Sequence, residues 1–364
     1  MKKILCLIDT LGAGGAERQM VGLAVLLKQR GYHTDLVTYH PHDFYAELAR
    51  KQGIGTLTLR VKDSQWSKFN AVRKHIKKNG GYDCIITYKG GPNIIGCLLK
   101  MMGLRSKVIV SERITDTAVV GMYKKTKFNL YRFADYVVPN AYSQAEFLSK
   151  NFPWMAKKIV TISNFTDTDS FCPAEVLQHE GIRILTTARI SYQKNVLRYL
   201  DAISLFREKA KGMNVHFDWY GNEQHGEDVY VAAVKKKVVD LRLEDTITFY
   251  PATNDIAEKY QQCDIYCLPT NFEGYPNVVC EAMSCGKPVV CSRVSDIPVI
   301  VRENENGLMF DPSDTNDIAE KLLQMVKMPK AQLDEFGRRG REIAMVQFSR
   351  DAFVEKYIKL IESK

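Results

Sequence analysis

Short apolar runs alternate with longer stretches in which apolar positions recur every three or four residues, and this alternation continues along the whole chain. Residues 3–8 (Lys-Ile-Leu-Cys-Leu-Ile) read as a buried parallel strand. Residues 16–30 read as a helix with Met20, Leu23, Ala24 and Leu27 on one face and Gly31 as its stop. Strands are expected at 34–39, 83–87, 107–111 and 136–139, with helices at 67–78 and 93–102 among them. The pattern restarts after Asn164-Phe165, with strands at 183–187, 215–220, 246–250, 265–268 and 288–291. Helices at 195–209, 229–240, 255–262 and 278–285 separate them. This repetition predicts an α/β protein of two Rossmann-like, doubly wound parallel-sheet domains with a ligand cleft between them. In each sheet a ligand is expected beyond the carboxyl ends of the strands. Segment 166–181, with its Asp, Ser, Pro and Gly, reads as a linker. The expected domains are therefore 1–165 and 166–348. The C-terminal stretch 349–364 is expected to be a helix that crosses back to complete the first domain.

A length of 364 residues agrees with two domains, and 45% apolar with 26% charged residues is ordinary for a packed chain. No apolar run approaches the roughly 20 residues that cross a bilayer. Lys2-Lys3 before Ile4–Ile8 imitates a signal peptide, but Asp9 ends the run, which speaks for a cytoplasmic protein. The nine cysteines are scattered without a C-x-x-C pair, so reduced thiols and no metal site are expected. Charge changes the picture once it is divided. Residues 1–165 carry 26 basic and 11 acidic side chains, a net +15, whereas the remainder carries 25 and 31, a net −6. The basic half is expected to face nucleic acid, an anionic membrane surface or a phosphate-bearing substrate.

The richest chemistry lies in Asn271-Phe272-Glu273-Gly274-Tyr275-Pro276-Asn277-Val278-Val279-Cys280-Glu281-Ala282-Met283. Pro276 is placed as the first residue of a helix, so Glu273 falls in the loop before it and Glu281 more than a turn inside. Between the two carboxylates, unpaired N–H groups near Pro276–Val279 make an anion cradle. Two carboxylates flanking a phosphate cradle suit a sugar nucleotide. A second group, Arg189-Ile190-Ser191-Tyr192-Gln193-Lys194-Asn195, follows the first strand of the second domain and offers a bidentate guanidinium and a point charge. The Asp167/Asp169 pair spells D-x-D only in the linker. A third group, Gly12-Ala13-Gly14-Gly15-Ala16-Glu17, lets backbone approach a ligand at a helix N-terminus. Glu17 stands where a dinucleotide fingerprint has its third Gly, and the second strand ends without a ribose-binding acid, which argues against an NAD enzyme.

The E-x7-E string from Glu273 to Glu281, continued by the E-A-M-x-x-G-x-P-V-V pattern through Val290, resembles family 4 glycosyltransferases of the GT-B fold. The resemblance spans the chain, including Gly14-Gly15-Ala16-Glu17-Arg18, and its nearest flavour is the bacterial enzymes that extend surface polysaccharides or lipid-linked oligosaccharides. It implies transfer of a hexose-type sugar from a UDP- or GDP-linked donor to a hydroxyl of a glycan or lipid-linked acceptor, with retention of configuration. It implies that Glu281 holds the ribose hydroxyls and Glu273 lies near the donor sugar, while Arg189 and Lys194 stabilise the departing diphosphate in place of a metal. The catalytic set is then Arg189, Lys194 and Glu273. The donor-binding set is Gly14, Gly15, Tyr275, Pro276, Asn277, Val278 and Glu281, with no cofactor or metal. The chain departs from the family at Ser111-Glu112-Arg113-Ile114-Thr115-Asp116, where relatives carry a His, and at Val294–Val299, where they show G-G-x-P-E.

Two basic clusters remain. Lys62, Lys68, Arg73, Lys74, Lys77 and Lys78 surround Trp66, Phe69, Val72 and Ile76, which share one helical face and are expected to pack on the sheet. Met122–Phe133 mixes bases with aromatics. Such clusters suit peripheral contact with an anionic membrane at the inner face of the plasma membrane. No nucleic-acid-binding motif accompanies them, so nucleic acid is not an expected partner. The alternative from another class is a non-catalytic GT-B protein that binds carbohydrate or a partner.

Overall fold

The computed structural model describes residues 1–113, 121–175 and 179–363. The first half contains β1 (Lys3–Leu7), α1 (Gly15–Gln29), β2 (His33–Thr38), α2 (Ala46–Lys51), β3 (Gly55–Thr58), α3 (Gln65–Lys78), β4 (Cys84–Tyr88), α4 (Gly90–Met101), β5 (Lys107–Glu112), α5 (Gly121–Leu130), β6 (Tyr136–Pro139) and α6 (Tyr142–Asn151). The second contains β7 (Ile182–Thr187), α7 (Val196–Lys209), β8 (Val215–Tyr220), α8 (Asp228–Asp240), β9 (Ile247–Tyr250), α9 (Ile256–Gln262), β10 (Ile265–Leu268), α10 (Asn277–Ser284), β11 (Val289–Ser292), α11 (Ile297–Ile300), β12 (Gly307–Phe310), α12 (Thr315–Val326) and α13 (Lys330–Gln347), followed by α14 (Arg350–Glu362). Each strand and helix expected from the pattern has a counterpart within a few residues. The four-residue edge strands β3 and β12, and the helices α2, α5, α6 and α11 to α13, are additions.

Among the described residues the strands form two six-stranded parallel sheets, ordered β3-β2-β1-β4-β5-β6 and β12-β11-β10-β7-β8-β9. Counted from the first strand of each half, both orders are the same, with the reversal between β1 and β4 in one and between β7 and β10 in the other. In register, Ile4 faces Cys84 and Ile184 faces Ile265. The chain divides into two compact units, Met1–Phe165 with Phe353–Lys364, and Thr166–Ala352.

Alternation across each strand builds two core layers per sheet. In the first unit Ile4, Cys6 and Ile8 meet α1 and α14, whereas Leu5 and Leu7 meet Phe69, Val72 and Ile76 of α3. Helix α14 belongs to that core because Phe353, Val354, Tyr357, Leu360 and Ile361 repeat at helical spacing and are all buried. In the second unit Ile265 and Cys267 point to one layer, Tyr266 and Leu268 to the other. Eight of the nine cysteines are buried, Cys172 is half-buried, and all are free thiols. Burial pushes the Cys263, Cys267 and Cys280 thiols up to about 12, which suits packing rather than nucleophilic chemistry. Among the described residues no helix is long and apolar enough to cross a membrane.

Candidate active site

The strand-order reversal in the second unit places the loops after β7 and β10 side by side, and these carry the two sequence groups with charge. After Ala188 and Arg189 a single 3-10 turn, Tyr192–Lys194, ends at Asn195, whose φ of 58° is left-handed. Asn tolerates that conformation, and here its Nδ2 donates to Pro312 O at 2.9 Å. The facing loop is stitched to this turn. Asn271 N donates to Gln193 O at 2.8 Å, the Asn271 amide to Tyr192 O at 2.9 Å, and the Gln193 amide to Phe272 O at 3.0 Å. Glu273 N donates to Ser295 Oγ at 3.1 Å. The result is an ion pair between Lys194 Nζ and Glu273 Oε1, with side chains only 12% and 10% exposed. Sequence reading put both residues at the site without showing that they touch.

Arg189 has a different neighbour. Its guanidinium donates to Gln224 Oε1, and the side chain is exposed. The loop that carries it passes so close to Gly221 that a Cβ there would lie 1.9 Å from Ala188 O. Gly221 therefore sets the path of the Arg189 backbone. The two cations are thus held separately, one paired with a carboxylate and one with an amide.

At α10 the cradle is narrower than the sequence suggests. Pro276 is not the first helical residue. With φ −82° and ψ 78° it is the centre of an inverse γ-turn, closed by Asn277 N donating to Tyr275 O at 3.0 Å. Val279 N is used by Pro276 O at 3.1 Å, which leaves the Val278 N–H without a backbone acceptor among the described residues. The Tyr275 ring is buried edge-on against Phe348 and its hydroxyl accepts from Cys280 Sγ. Glu281 is 8% exposed and accepts from the Tyr260 hydroxyl at 3.2 Å.

In the first unit the reversal lies between β1 and β4. Gly14 caps α1 in extended conformation without a side-chain bond. A Cβ on Gly14 would come within 2.2 Å of Glu17 Oε2, so the glycine makes room for that carboxylate. Glu17 is buried and pairs with Lys89 Nζ at 2.5 Å, and the same ammonium reaches Asp9 Oδ1 at 3.1 Å. Burial alone would depress the Lys89 pKa, but hydrogen bonds to Glu17 and Asp9 outweigh it and hold the ammonium above its ordinary value. Lys89 stands at φ 74° and ψ 161°, a region that belongs to glycine, at the exit of β4. Sequence reading missed Lys89. The signal was present in Gly90-Gly91 immediately after a strand.

In the segment that departs from the expected family pattern, Glu112 is buried against Lys127 Nζ at 3.1 Å, the Tyr131 hydroxyl and Asn93. Arg113 stacks on the Tyr88 ring at 3.7 Å and donates to Asn164 and the Tyr357 hydroxyl, each at 2.8 Å. Ile114, Thr115 and Asp116 lie outside the described residues. The basic clusters are smaller at the surface than the sequence suggests. Lys68 is buried, paired with Asp63 at 2.8 Å, and Lys127 is buried as described, because each lies on the packed side of its helix. Trp66, the second residue of α3, is 68% exposed instead of sharing the buried face of Phe69, Val72 and Ile76. The linker D-x-D is engaged by Arg350, which meets Asp167 at 2.7 Å and Asp169 at 3.4 Å. Among the described residues no cluster of three or more His, Cys, Asp or Glu could hold a metal ion.

Comparison with known proteins adds two family matches, Glycosyltransferase Family 4 over residues 13–170 and Glycosyl transferases group 1 over residues 181–328. The chain is 24% identical to the N-acetylgalactosamine-N,N'-diacetylbacillosaminyl-diphospho-undecaprenol 4-alpha-N-acetylgalactosaminyltransferase of Campylobacter jejuni, covering 98% of this chain and 100% of that one. It is 25% identical to the N-acetyl-alpha-D-glucosaminyl L-malate synthase of Bacillus anthracis over 71% of this chain and 68% of that one. Among solved structures it resembles Anabaena HepE in complex with UDP, with a TM-score of 0.84, 18% identity and 100% coverage of both chains.

Proposed function

The chain belongs to glycosyltransferase family 4, and from that premise we propose that it moves a hexose-type sugar from a UDP- or GDP-linked donor to a hydroxyl of a lipid-linked or polysaccharide glycan, with retention of configuration. The observation that carries the reading is the stitched pair of loops at the second unit's strand reversal. It holds Lys194 against Glu273, with the Val278 N–H and the Glu281 carboxylate on the following turn and helix. The Campylobacter relatives are named for transfer onto undecaprenol-diphosphate glycans, and HepE was solved with UDP, which supports both the acceptor and the donor class.

In this reading Glu281 binds the ribose hydroxyls and Val278 N–H a diphosphate oxygen. Tyr275, Pro276 and Asn277 shape the turn that presents them, and Gly14 and Gly15 give the donor or acceptor access to backbone. Arg189 and Lys194 stabilise the charge that grows on the departing diphosphate. Lys194, one of whose three N–H donors is held by Glu273, offers the others to a diphosphate oxygen, and Glu273 lies beside the donor sugar. The bond from the anomeric carbon to the diphosphate breaks as the bond to the acceptor oxygen forms on the same face, and the acceptor proton passes to the departing diphosphate. The two cations take the place of a metal. Exposed cations at Lys62, Arg73, Lys74, Lys77 and Lys78 support attachment at the inner face of the plasma membrane.

A panel of UDP and GDP sugars, each incubated with the protein and followed by nucleotide release, tests the donor class. NMR of the anomeric proton in the product tests retention. Release from no member of the panel would overturn the enzymatic reading, and an inverted product would overturn the same-face displacement.

A further inference from the structure

Glu281 is the last link in a line of buried hydroxyls. Its Oε2 lies 3.2 Å from the Tyr260 hydroxyl, which lies 2.6 Å from Thr187 Oγ1, which lies 3.1 Å from the Tyr266 hydroxyl. Tyr260 and Tyr266 have no exposure, and Thr187 has 6%. The three come from different elements: Thr187 ends β7, Tyr260 lies on α9 and Tyr266 on β10.

Proton counting leaves one arrangement. Tyr260 is the donor to the Glu281 carboxylate. That uses the single Tyr260 proton, so Thr187 donates to Tyr260. The Thr187 proton is then used, so Tyr266 donates to Thr187. Every hydroxyl dipole therefore points toward Glu281, and each bond polarises the next. A buried carboxylate without such a donor would be costly to keep in place.

We infer that Tyr266, Thr187 and Tyr260 form a one-way hydroxyl chain that orients the Glu281 carboxylate for the donor's ribose and so sets nucleotide affinity. These are positioning residues, acting through Glu281, and the inference rests on the proposed ribose role of that residue. Because Thr187 ends the strand that leads to Arg189 and Lys194, the chain also ties the ribose contact to the diphosphate loop.

The test is calorimetry of UDP and GDP, and of their 2′-deoxy counterparts, on the full chain and on Tyr260→Phe, Thr187→Val, Thr187→Ser, Tyr266→Phe and Glu281→Gln. Melting curves accompany each, and Tyr260→Phe and Tyr266→Phe remove one oxygen apiece without changing ring packing. The wild type should prefer ribose. Tyr260→Phe should lose about tenfold in ribonucleotide affinity, the scale of one hydrogen bond to a charged group, and much less for the 2′-deoxy form. Thr187→Val should lose less, Tyr266→Phe least, and Thr187→Ser should restore the wild-type value. Equal losses for both sugars in Tyr260→Phe would mean general loosening and overturn the chain. So would wild-type affinity and preference in Tyr260→Phe when Glu281→Gln loses them, and in that case the ribose role of Glu281 would stand. An unchanged preference in Glu281→Gln would remove the ribose role itself and the chain's purpose with it.

Discussion

The Lys194 ammonium has three N–H donors, and the charge of the Glu273 carboxylate beside it offsets the pull it can exert on a phosphate. The Lys194–Glu273 pair is mostly shielded from water, so both the attraction and its loss are larger than at an open surface. Two opposite effects are expected from its two partners. Lys194→Ala should lower kcat by about 10- to 100-fold, corresponding to one charged hydrogen bond of about 1.5–3 kcal/mol that is strongest in the transition state. Glu273→Gln releases the ammonium, so nucleoside diphosphate should bind more tightly while turnover falls. Calorimetry alongside steady-state rates separates the two, and weaker diphosphate binding in Glu273→Gln would show that the pair does not compete with the ligand. In the proposed reading Arg189 and Lys194 supply the positive charge, so activity should persist in EDTA. Loss in EDTA with recovery on adding Mg²⁺ or Mn²⁺ would mean that the phosphate site needs a metal.

At the scale of elements, the exit of β4 and the start of α1 are locked together by Lys89. Its ammonium spans Asp9 and Glu17, and the backbone adopts a strained conformation to bring it there. Gly14→Ala would push a methyl into the Glu17 carboxylate, and overpacking of this kind costs about 1–3 kcal/mol. The expected result is a lowered melting temperature in thermal unfolding followed by circular dichroism. Lys89 also gives a pH signature. Its folded pKa lies above the ordinary 10.5, so its stabilising contribution is complete below that value and is lost as pH rises through the folded pKa. The difference in melting temperature between wild type and Lys89→Met should therefore be constant near neutrality and shrink only in strong alkali. A difference that already vanishes near pH 9 would show that the ion pairs are not what Lys89 contributes.

For the whole molecule, the dominant feature is the uneven charge, +15 in residues 1–165 against −6 in the rest. Burial of Lys68 and Lys127 removes two cations from the surface but leaves Arg73, Lys74, Lys77 and Lys78 exposed on α3. At about 1 kcal/mol per cation near an anionic leaflet, these are enough for reversible attachment without a spanning segment. The protein should bind vesicles containing anionic lipid at low salt and leave them at high salt, where the Debye length falls to about 3 Å. Replacing Lys74, Lys77 and Lys78 together with Gln should weaken binding, measured by co-sedimentation beside a DNA control. Indifference to anionic vesicles at low salt would point to a soluble sugar acceptor.

Periodicity and spacing were enough to determine the alternation of strands and helices, the Glu273–Glu281 string and the glycine turn, because each depends on residues close in sequence. The edge strand β3 was illegible, since Gly55–Thr58 has a single apolar residue, Leu57, among Gly and Thr, unlike the equally short β6 and β10. Tertiary structure alone decided which charges meet. Lys194 and Glu273 are 79 residues apart, and Lys89 is 80 from Asp9 and 72 from Glu17. They come together because the strand order reverses between β7 and β10 and between β1 and β4, so loops remote in sequence leave the same edge of a sheet. The same holds for Tyr275, whose ring meets that of Phe348, 73 positions further along the chain. Local geometry fixes which faces a segment can offer, and sheet order decides what each face meets.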